Sequence, residues 1–336
     1  MICAGFPSLF RRLRQGRRGL RAIHAKITGA GYGLGQSKAR KDNRKTMEQL
    51  CRRSQDLTDS WQRHDWRESF FAPGLVILQA LTHDGRTASG AGLTRDEAFD
   101  RCLGETAEIL ALNRHLRHGG RFDPWSDGLA AHSDPAQACA AARLEACERA
   151  AVADWWLGRA PAAPVSESWI AQAGLGARVE AMRQGAALRR RSDWWQIRTE
   201  GQPCVMICRS VSLEGQDPVL GFGCDEEPVA AAEKALRELL LMEMNLMELL
   251  AARATGDEHG PGEVRARIRG YALHAPRLFP AAAESLPAAP CALVSDFRPA
   301  PECREISEPR AEISVWLSPG QAASALFSEA TGLPYL

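Results

Sequence analysis

The sequence predicts an α/β protein in which helices pack against β-sheets. Short apolar runs at 73–81 and 203–208 are typical of strands, and three long Ala-rich segments are typical of helices. Because these strands and helices alternate along the chain, an α/β fold is favoured. The 336 residues are 45% hydrophobic and 25% charged, which is enough apolar material for a buried core.

Residues 1–60 are predicted to form a basic, flexible extension. Fourteen Lys or Arg residues lie between Arg11 and Arg53, although the net charge of the whole chain is only +1. Glycines at alternate positions from 29 to 35 favour flexible chain over a packed element. A basic arm attracts nucleic acid or acidic partners without specificity, so no specific nucleic-acid partner is predicted. A translation start at Met47 would remove most of this arm.

Two features bear on location and cysteine chemistry. No segment approaches the roughly 18 apolar residues that a membrane-spanning helix needs, and the short apolar start does not form a signal peptide. We therefore expect a cytoplasmic protein that does not bind a membrane.

The ten cysteines are scattered, without a Cys-x-x-Cys pair, and several fall within helical patterns. This distribution favours buried thiols over disulfides or a zinc site.

The globular part begins near Phe70. The apolar run at 73–81 predicts a strand that enters a turn at 83–85, where the sequence is His-Asp-Gly. A helix is predicted from Arg95 to about Asn113, because the Thr94 side chain can accept a hydrogen bond from its first turn.

Two further helices are predicted downstream. The second runs from Pro135 to Trp156, because Asp134 can cap it and proline suits a first helical turn. The third runs from Pro228 to about Ala252 and follows the strand at 203–208. The Arg-rich stretch before that strand and the Ala- and Pro-rich sequence after the third helix predict no clear element.

Three segments share one layout, in which a glycine-containing loop is followed by a capping residue, an Ala-rich helix and a glutamate on that helix. The loops begin at three glycines, and each is matched by one glutamate: Gly90 with Glu105, Gly128 with Glu145, Gly221 with Glu238. The distance from glycine to glutamate is 15 residues in the first segment and 17 in the other two. This recurrence indicates a repeated unit with a carboxylate at one place.

Two of these helices carry a second glutamate three residues further on. Glu105 and Glu108 therefore project from one helical face, and so do Glu145 and Glu148. Most glutamates at this spacing are solvated, but these interrupt apolar Ala and Leu faces, where an unpaired carboxylate is costly. Mg²⁺ prefers oxygen ligands and phosphate, and the adjacent Arg149 could hold a phosphate or pair with a glutamate. The pattern suggests a Mg²⁺–nucleotide site.

These segments resemble the YcaO family over about residues 70–250. The second segment is the closest match, because it has the family's Glu-x-x-Glu-Arg motif at 145–149 and the tryptophan pair that often follows, Trp155-Trp156. Gly-Ala-Gly-Leu-Thr-Arg-Asp-Glu-Ala at 90–98 resembles the first family motif. The Gly221 segment, with the strand ahead of it, resembles the last strand, glycine loop and helix.

The resemblance implies a YcaO-like ATP-binding fold over residues 65–336. It implies that ATP and Mg²⁺ bind through residues of the three helices: Glu105, Glu108, Glu145, Glu148, Arg149 and Glu238. The first four are the implied Mg²⁺ ligands. It also implies a peptide substrate, a separate peptide-recruiting partner protein and a homodimer.

The resemblance implies the reaction as well. Family members phosphorylate a backbone amide oxygen after a nucleophile has added to that amide. A neighbouring Cys, Ser or Thr side chain then gives a thiazoline or oxazoline ring, and an external sulfide gives a thioamide. The chain is therefore predicted to be an ATP-dependent cyclodehydratase or thioamide-forming enzyme that modifies a ribosomally made peptide.

Three departures from the family pattern leave a second hypothesis open. Ile109 stands where an arginine is expected, Leu241 stands where a glutamine is expected, and a short tail at 332–336 replaces the family's proline-rich tail. Loss of polar residues from a phosphate site would weaken nucleotide binding. The alternative is a catalytically degenerate YcaO scaffold that binds peptide or a partner enzyme.

Overall fold

The computed structural model describes residues 54–198, 203–255, 262–274, 276, 278–279 and 303–320. Residues 1–53 of the predicted extension and the tail at 332–336 lie outside this range. Within it, a short helix α1 (Gln55–Thr58) precedes the first strand. No helix in these ranges has both the length and the apolar character needed to cross a membrane.

The described strands form three antiparallel sheets. The first has the order β1 (Trp61–Arg67), β2 (Val76–Thr82), β3 (Thr87–Gly92). The second contains β4 (Gly128–His132), which pairs with a strand near the end of the described chain. The third has the order β5 (Ala162–Pro164), β6 (Arg190–Ile197), β7 (Cys204–Ser212), β8 (Val219–Asp225). The second sheet is completed by β9 (Arg304–Glu305) and β10 (Ser314–Ser318), in the order β4-β10-β9.

Helices cover these sheets. After α1 they are α2 (Arg95–Arg117), α3 (Pro135–Trp156), α4 (Glu167–Gln172), α5 (Leu175–Arg183), α6 (Pro228–Thr255) and α7 (Gly262–His274). The three long helices predicted from the sequence are confirmed as α2, α3 and α6, with ends within a few residues of the predicted ones. Their caps form as expected. The Thr94 side chain accepts a hydrogen bond from the amide of Glu97, and the Asp134 side chain accepts one from the amide of Ala136.

The glycine-containing segments are strands, and the prediction that they are loops is wrong. Gly90 lies in β3, Gly128 begins β4, and Gly221 lies in β8. A Cβ at Gly128 would overlap the carbonyl oxygen of Ala142 on α3 and approach the amide nitrogen of Ala146 to 2.6 Å. Glycine is therefore needed for close approach of helix and strand rather than for a loop conformation.

The largest apolar core lies where α3 and α6 pack on the third sheet. The tryptophan pair Trp155 and Trp156 is fully buried in it, and Trp155 packs against Phe222 of β8. A second core lies between the first sheet and α2, and a third lies under β4 and β10. The cysteines of the described residues are free thiols, and four of them are buried: Cys102, Cys204, Cys208 and Cys224.

Candidate functional site

Three strand–helix units share one hydrogen bond. We call β3–α2 the first unit, β4–α3 the second and β8–α6 the third. In each, a backbone amide of the strand donates to a helix glutamate sixteen residues later: Ser89 to Glu105 at 2.6 Å, Leu129 to Glu145 at 2.9 Å, Phe222 to Glu238 at 3.2 Å. The repeated glutamates predicted from the sequence are therefore equivalent in three dimensions.

The three units are arranged cyclically. Besides its own strand, α2 contacts β4 of the second unit, α3 contacts β8 of the third, and α6 contacts β3 of the first. The carboxylate of Glu108 reinforces the first of these contacts, because it accepts a hydrogen bond of 3.0 Å from the amide of Ala131. The helices thereby enclose a shared space.

This space is a cavity of about 940 Å³. Five of the six predicted site residues line it: Glu105, Glu108, Glu145, Glu148 and Glu238. The sixth, Arg149, is buried and forms an ion pair with Glu145. Of the two roles considered for Arg149, the structure supports pairing with a glutamate.

The carboxylates differ in their protonation. Burial raises the pKa of Glu108 and of Glu148 to about 7, and the negative charge of Glu145 acts in the same direction on both. Burial, together with the charge of Glu148, also raises the pKa of Glu238. Burial acts on Glu145 too, but the Arg149 guanidinium and the Leu129 amide hold its pKa below the ordinary value. Glu145 is therefore ionised at neutral pH, whereas Glu108 and Glu148 gain or lose a proton close to neutral pH.

The donor set fits a magnesium ion that is shared with phosphate oxygens. Within the described residues, no group of three or more His, Cys, Asp or Glu side chains is arranged to hold a metal ion by itself. Mg²⁺ does not need such a group, because it usually keeps waters and binds one or two carboxylates plus phosphate. Glu148 lines the cavity and accepts no hydrogen bond in the described part of the chain, so its carboxylate suits this role.

Sequence reasoning missed three cations that line the cavity: Arg101, Lys234 and Arg237. Arg101 donates to the carbonyl oxygen of Ala91, and Lys234 donates to that of Cys224 at 3.1 Å, ten residues earlier in each case. They therefore occupy equivalent positions in the first and third units. A signal was present, because each lies four residues before the repeated glutamate.

The two departures in the helices have different environments. Ile109 is fully buried in the core between α2 and the first sheet, so this position serves packing. Leu241 is half-buried and lines the cavity. In the third unit Leu241 stands where the first and second units have Glu108 and Glu148, so the third unit has no second carboxylate.

Comparisons with known proteins give the family. A family model described as YcaO cyclodehydratase, ATP- and Mg²⁺-binding, matches residues 108–317, which is more than half of the chain. The match begins at 108 and so does not include Glu105. The equivalence of Glu105 to Glu145 and Glu238 therefore rests on the hydrogen bond that each accepts from a strand amide. A search of curated proteins finds no match.

Two solved structures have a similar fold at 14% sequence identity. One is a heterocyclase in complex with substrate and cofactor, with a TM-score of 0.54 and coverage of 81% of this chain and 52% of that chain. The other is YcaO from Methanopyrus kandleri bound with AMPPCP and Mg²⁺, with a TM-score of 0.50 and coverage of 85% and 92%. The chain thus spans about half the length of the heterocyclase. The resemblance found in the sequence is confirmed, and the chain belongs to the YcaO family.

Proposed function

We propose that the chain uses ATP and Mg²⁺ to activate backbone amides of a ribosomally made peptide or protein, forming azoline rings or thioamides. The observation that carries this proposal is the set of three equivalent glutamates, Glu105, Glu145 and Glu238, held by the same backbone hydrogen bond around one cavity. The family match adds the expectation of ATP and Mg²⁺.

The residues of the chain have separate tasks in this proposal. Glu105, Glu108, Glu145 and Glu148 would hold Mg²⁺, and Glu238 would complete the nucleotide site from the third unit. ATP, when bound, supplies the phosphoryl group that makes an amide oxygen a good leaving group. The protein then contributes mainly positioning and charge neutralisation. Anchoring of the glutamates to strand amides supports this role, because it fixes their orientation before any ligand arrives.

Calorimetry of Mg-ATP binding to the purified chain tests the proposal. We expect binding to the wild type and its loss in Glu148→Gln, since the substitution removes a negative charge without removing a hydrogen bond seen in the described residues. A matched control is Asp154→Asn, which removes an exposed carboxylate paired with Arg159 outside the cavity. Unchanged binding in Glu148→Gln would contradict the assignment of this carboxylate.

Mass spectrometry of candidate peptides then tests the reaction. Ring formation removes one water per ring, whereas thioamide formation exchanges oxygen for sulfur, so the two products are distinguishable. We propose that a separate protein recruits the peptide, and the assay is therefore run with and without candidate partner proteins. A homodimer remains a prediction that light scattering can test.

Leu241 and Ile109 favour a second candidate, a scaffold that has lost catalysis. An apolar side chain in the cavity and another in the core replace two polar residues of the family pattern. A scaffold would show no Mg-ATP binding, alone or with candidate partners, yet would form a stable complex with a peptide or a companion enzyme. Measurable nucleotide turnover without such a complex would exclude it.

A further inference from the structure

The charged side chains of the cavity are unevenly distributed. Helix α2 contributes three carboxylates and one cation, Arg101, and α3 contributes two glutamates, whereas α6 contributes Lys234 and Arg237 beside Glu238. The third unit also lacks the second carboxylate, because Leu241 occupies that position. The α6 wall is thus the more cationic part of the cavity.

The cations of the cavity differ in what they contact. Arg101 pairs with Glu97 at 3.5 Å, and Lys234 pairs with Asp225 at 2.7 Å; each also donates to a backbone carbonyl. Arg237, in contrast, makes no hydrogen bond or ion pair with any residue in the described ranges. Among these three cavity cations, Arg237 is therefore the one whose N–H groups do not donate to another residue in the described ranges.

Arg237 remains charged at neutral pH. Burial lowers its pKa to about 10, and neighbouring carboxylates, Glu233, Glu97 and Glu238, oppose that effect without forming an ion pair. A partly buried cation without a direct partner is costly, and an anion that enters the cavity would offset this cost. The guanidinium fork suits a phosphate in particular, since it can donate two parallel hydrogen bonds.

The position of Arg237 is special to the third unit. When the units are aligned on their bonded glutamates, Arg237 corresponds to Gly104 in the first unit and Leu144 in the second. Neither of these can hold an anion through its side chain. The charge is therefore not part of the repeated architecture that anchors the glutamates.

We propose that Arg237 binds the polyphosphate chain of the nucleotide on the α6 wall of the cavity. The naming of a nucleotide rests on the proposed function, whereas the assignment of a polyphosphate site rests on Arg237 itself. The carboxylates of α2 and α3 then hold the metal ion, and Arg237 holds the phosphate charge that the metal does not neutralise.

Calorimetry on the full chain with Mg-ATP, AMP and inorganic tripolyphosphate tests this assignment. Arg237→Met removes the charge at similar length, Arg237→Lys keeps it, and Arg159→Met removes an exposed arginine elsewhere. We expect Arg237→Met to weaken Mg-ATP and tripolyphosphate binding about 10- to 100-fold, as loss of a charge-assisted hydrogen bond does. AMP binding should change far less, Arg237→Lys should retain most of the affinity, and Arg159→Met should match the wild type.

Thermal unfolding gives a second readout. Removal of a cation without a direct partner should leave the melting temperature of the ligand-free protein unchanged or higher, while the upward shift produced by tripolyphosphate should disappear. A large loss of ligand-free stability in both Arg237→Met and Arg237→Gln would assign the residue a structural role and overturn the proposal.

The outcomes separate this inference from the proposed function. Equal Mg-ATP affinity in the wild type and Arg237→Met would overturn the inference and leave the proposed function standing. Arg237-dependent binding of tripolyphosphate without binding of Mg-ATP would support the anion site and count against the proposed function. Binding of neither probe to the wild type would overturn both.

Discussion

Glu145 on α3 accepts a hydrogen bond of 2.9 Å from the backbone amide of Leu129 on β4, sixteen residues earlier in the chain. The same bond recurs in the other two units, so it is a property of the unit and not of one residue. One oxygen of each glutamate therefore stabilises the fold, which means that substitution of these glutamates can affect stability as well as ligand binding.

Glu145→Gln and Glu148→Gln should differ in stability. Glutamine at 145 can still accept from the Leu129 amide, but it removes the negative charge that pairs with the buried Arg149, and the loss of a buried charge pair typically costs about 3 kcal/mol. Glu148→Gln should not destabilise the protein, because its carboxylate accepts no hydrogen bond in the described residues. Urea unfolding of both variants checks this. Equal midpoints would show that the Glu145–Arg149 pair contributes nothing net.

The stability of the ligand-free protein should depend on Glu108 and Glu148 between pH 4.5 and 7. Their pKa values rise from 4.5 to about 7 on folding. The folded state therefore binds more protons in this window, and their contribution to stability falls as the pH rises, by about 1.4 kcal/mol per pKa unit. Above pH 7 the contribution of these two carboxylates to stability is constant.

Urea unfolding at pH 5 and pH 8 measures this dependence. The lowered pKa of His64, caused mainly by burial, acts in the opposite direction, so the comparison needs a matched variant. Glu148→Gln removes one of the two carboxylates and keeps His64. We expect it to gain stability over the wild type at pH 8 and to differ less at pH 5; the same difference at both values would contradict the raised pKa.

Gly128→Ala should destabilise the second unit. The added Cβ would overlap Ala142 and lie 2.6 Å from the amide nitrogen of Ala146, so α3 would have to move away from β4. Overpacking of this kind costs about 1–3 kcal/mol. Gly176→Ala on α5 is the control, since nothing lies within 4 Å of its Cβ, and it should be neutral or slightly stabilising. Circular-dichroism melting of both variants provides the measurement.

Glu243→Gln should be among the more destabilising single changes. Glu243 is fully buried and pairs with Arg183 at 2.8 Å and Arg190 at 3.2 Å, while Ser210 donates to it at 2.7 Å. Removal of its charge leaves two buried arginines and should cost about 3–5 kcal/mol. Asp154→Asn breaks an exposed pair and should cost less than about 1 kcal/mol. Urea unfolding of both variants provides the measurement. Equal decreases of the denaturation midpoint in Glu243→Gln and Asp154→Asn would contradict this prediction.

Restoring the residue of the family pattern should have different effects at positions 241 and 109. Leu241→Gln should fold normally, because Leu241 is only half-buried on the cavity wall, and it should strengthen Mg-ATP binding severalfold. Ile109→Arg should destabilise the protein by several kcal/mol, since it places a charge in an apolar core. Melting temperatures and calorimetry test both. A stable Ile109→Arg variant would mean that this core opens easily.

The sequence alone determined the helices and the carboxylates they carry. The signals for these helices are local: the capping residues Thr94 and Asp134 and the Ala-rich segments that follow them. Local signals can be recognised without knowing which distant residues the segment contacts. The repeated glutamates were found for the same reason, because helical spacing fixes which residues share a face.

Only the tertiary structure decided how these residues work together. The sequence pattern predicts loops at Gly90, Gly128 and Gly221, but these glycines lie in strands because they allow close contact with a helix that comes later in the chain. β10 could not be predicted, since Leu317 pairs with Leu129, far away in sequence. The raised pKa values of Glu108 and Glu148, the pairing of Arg149 and the exposure of Arg237 to the cavity depend on burial and charge. Those are set by contacts between units, which no single segment encodes.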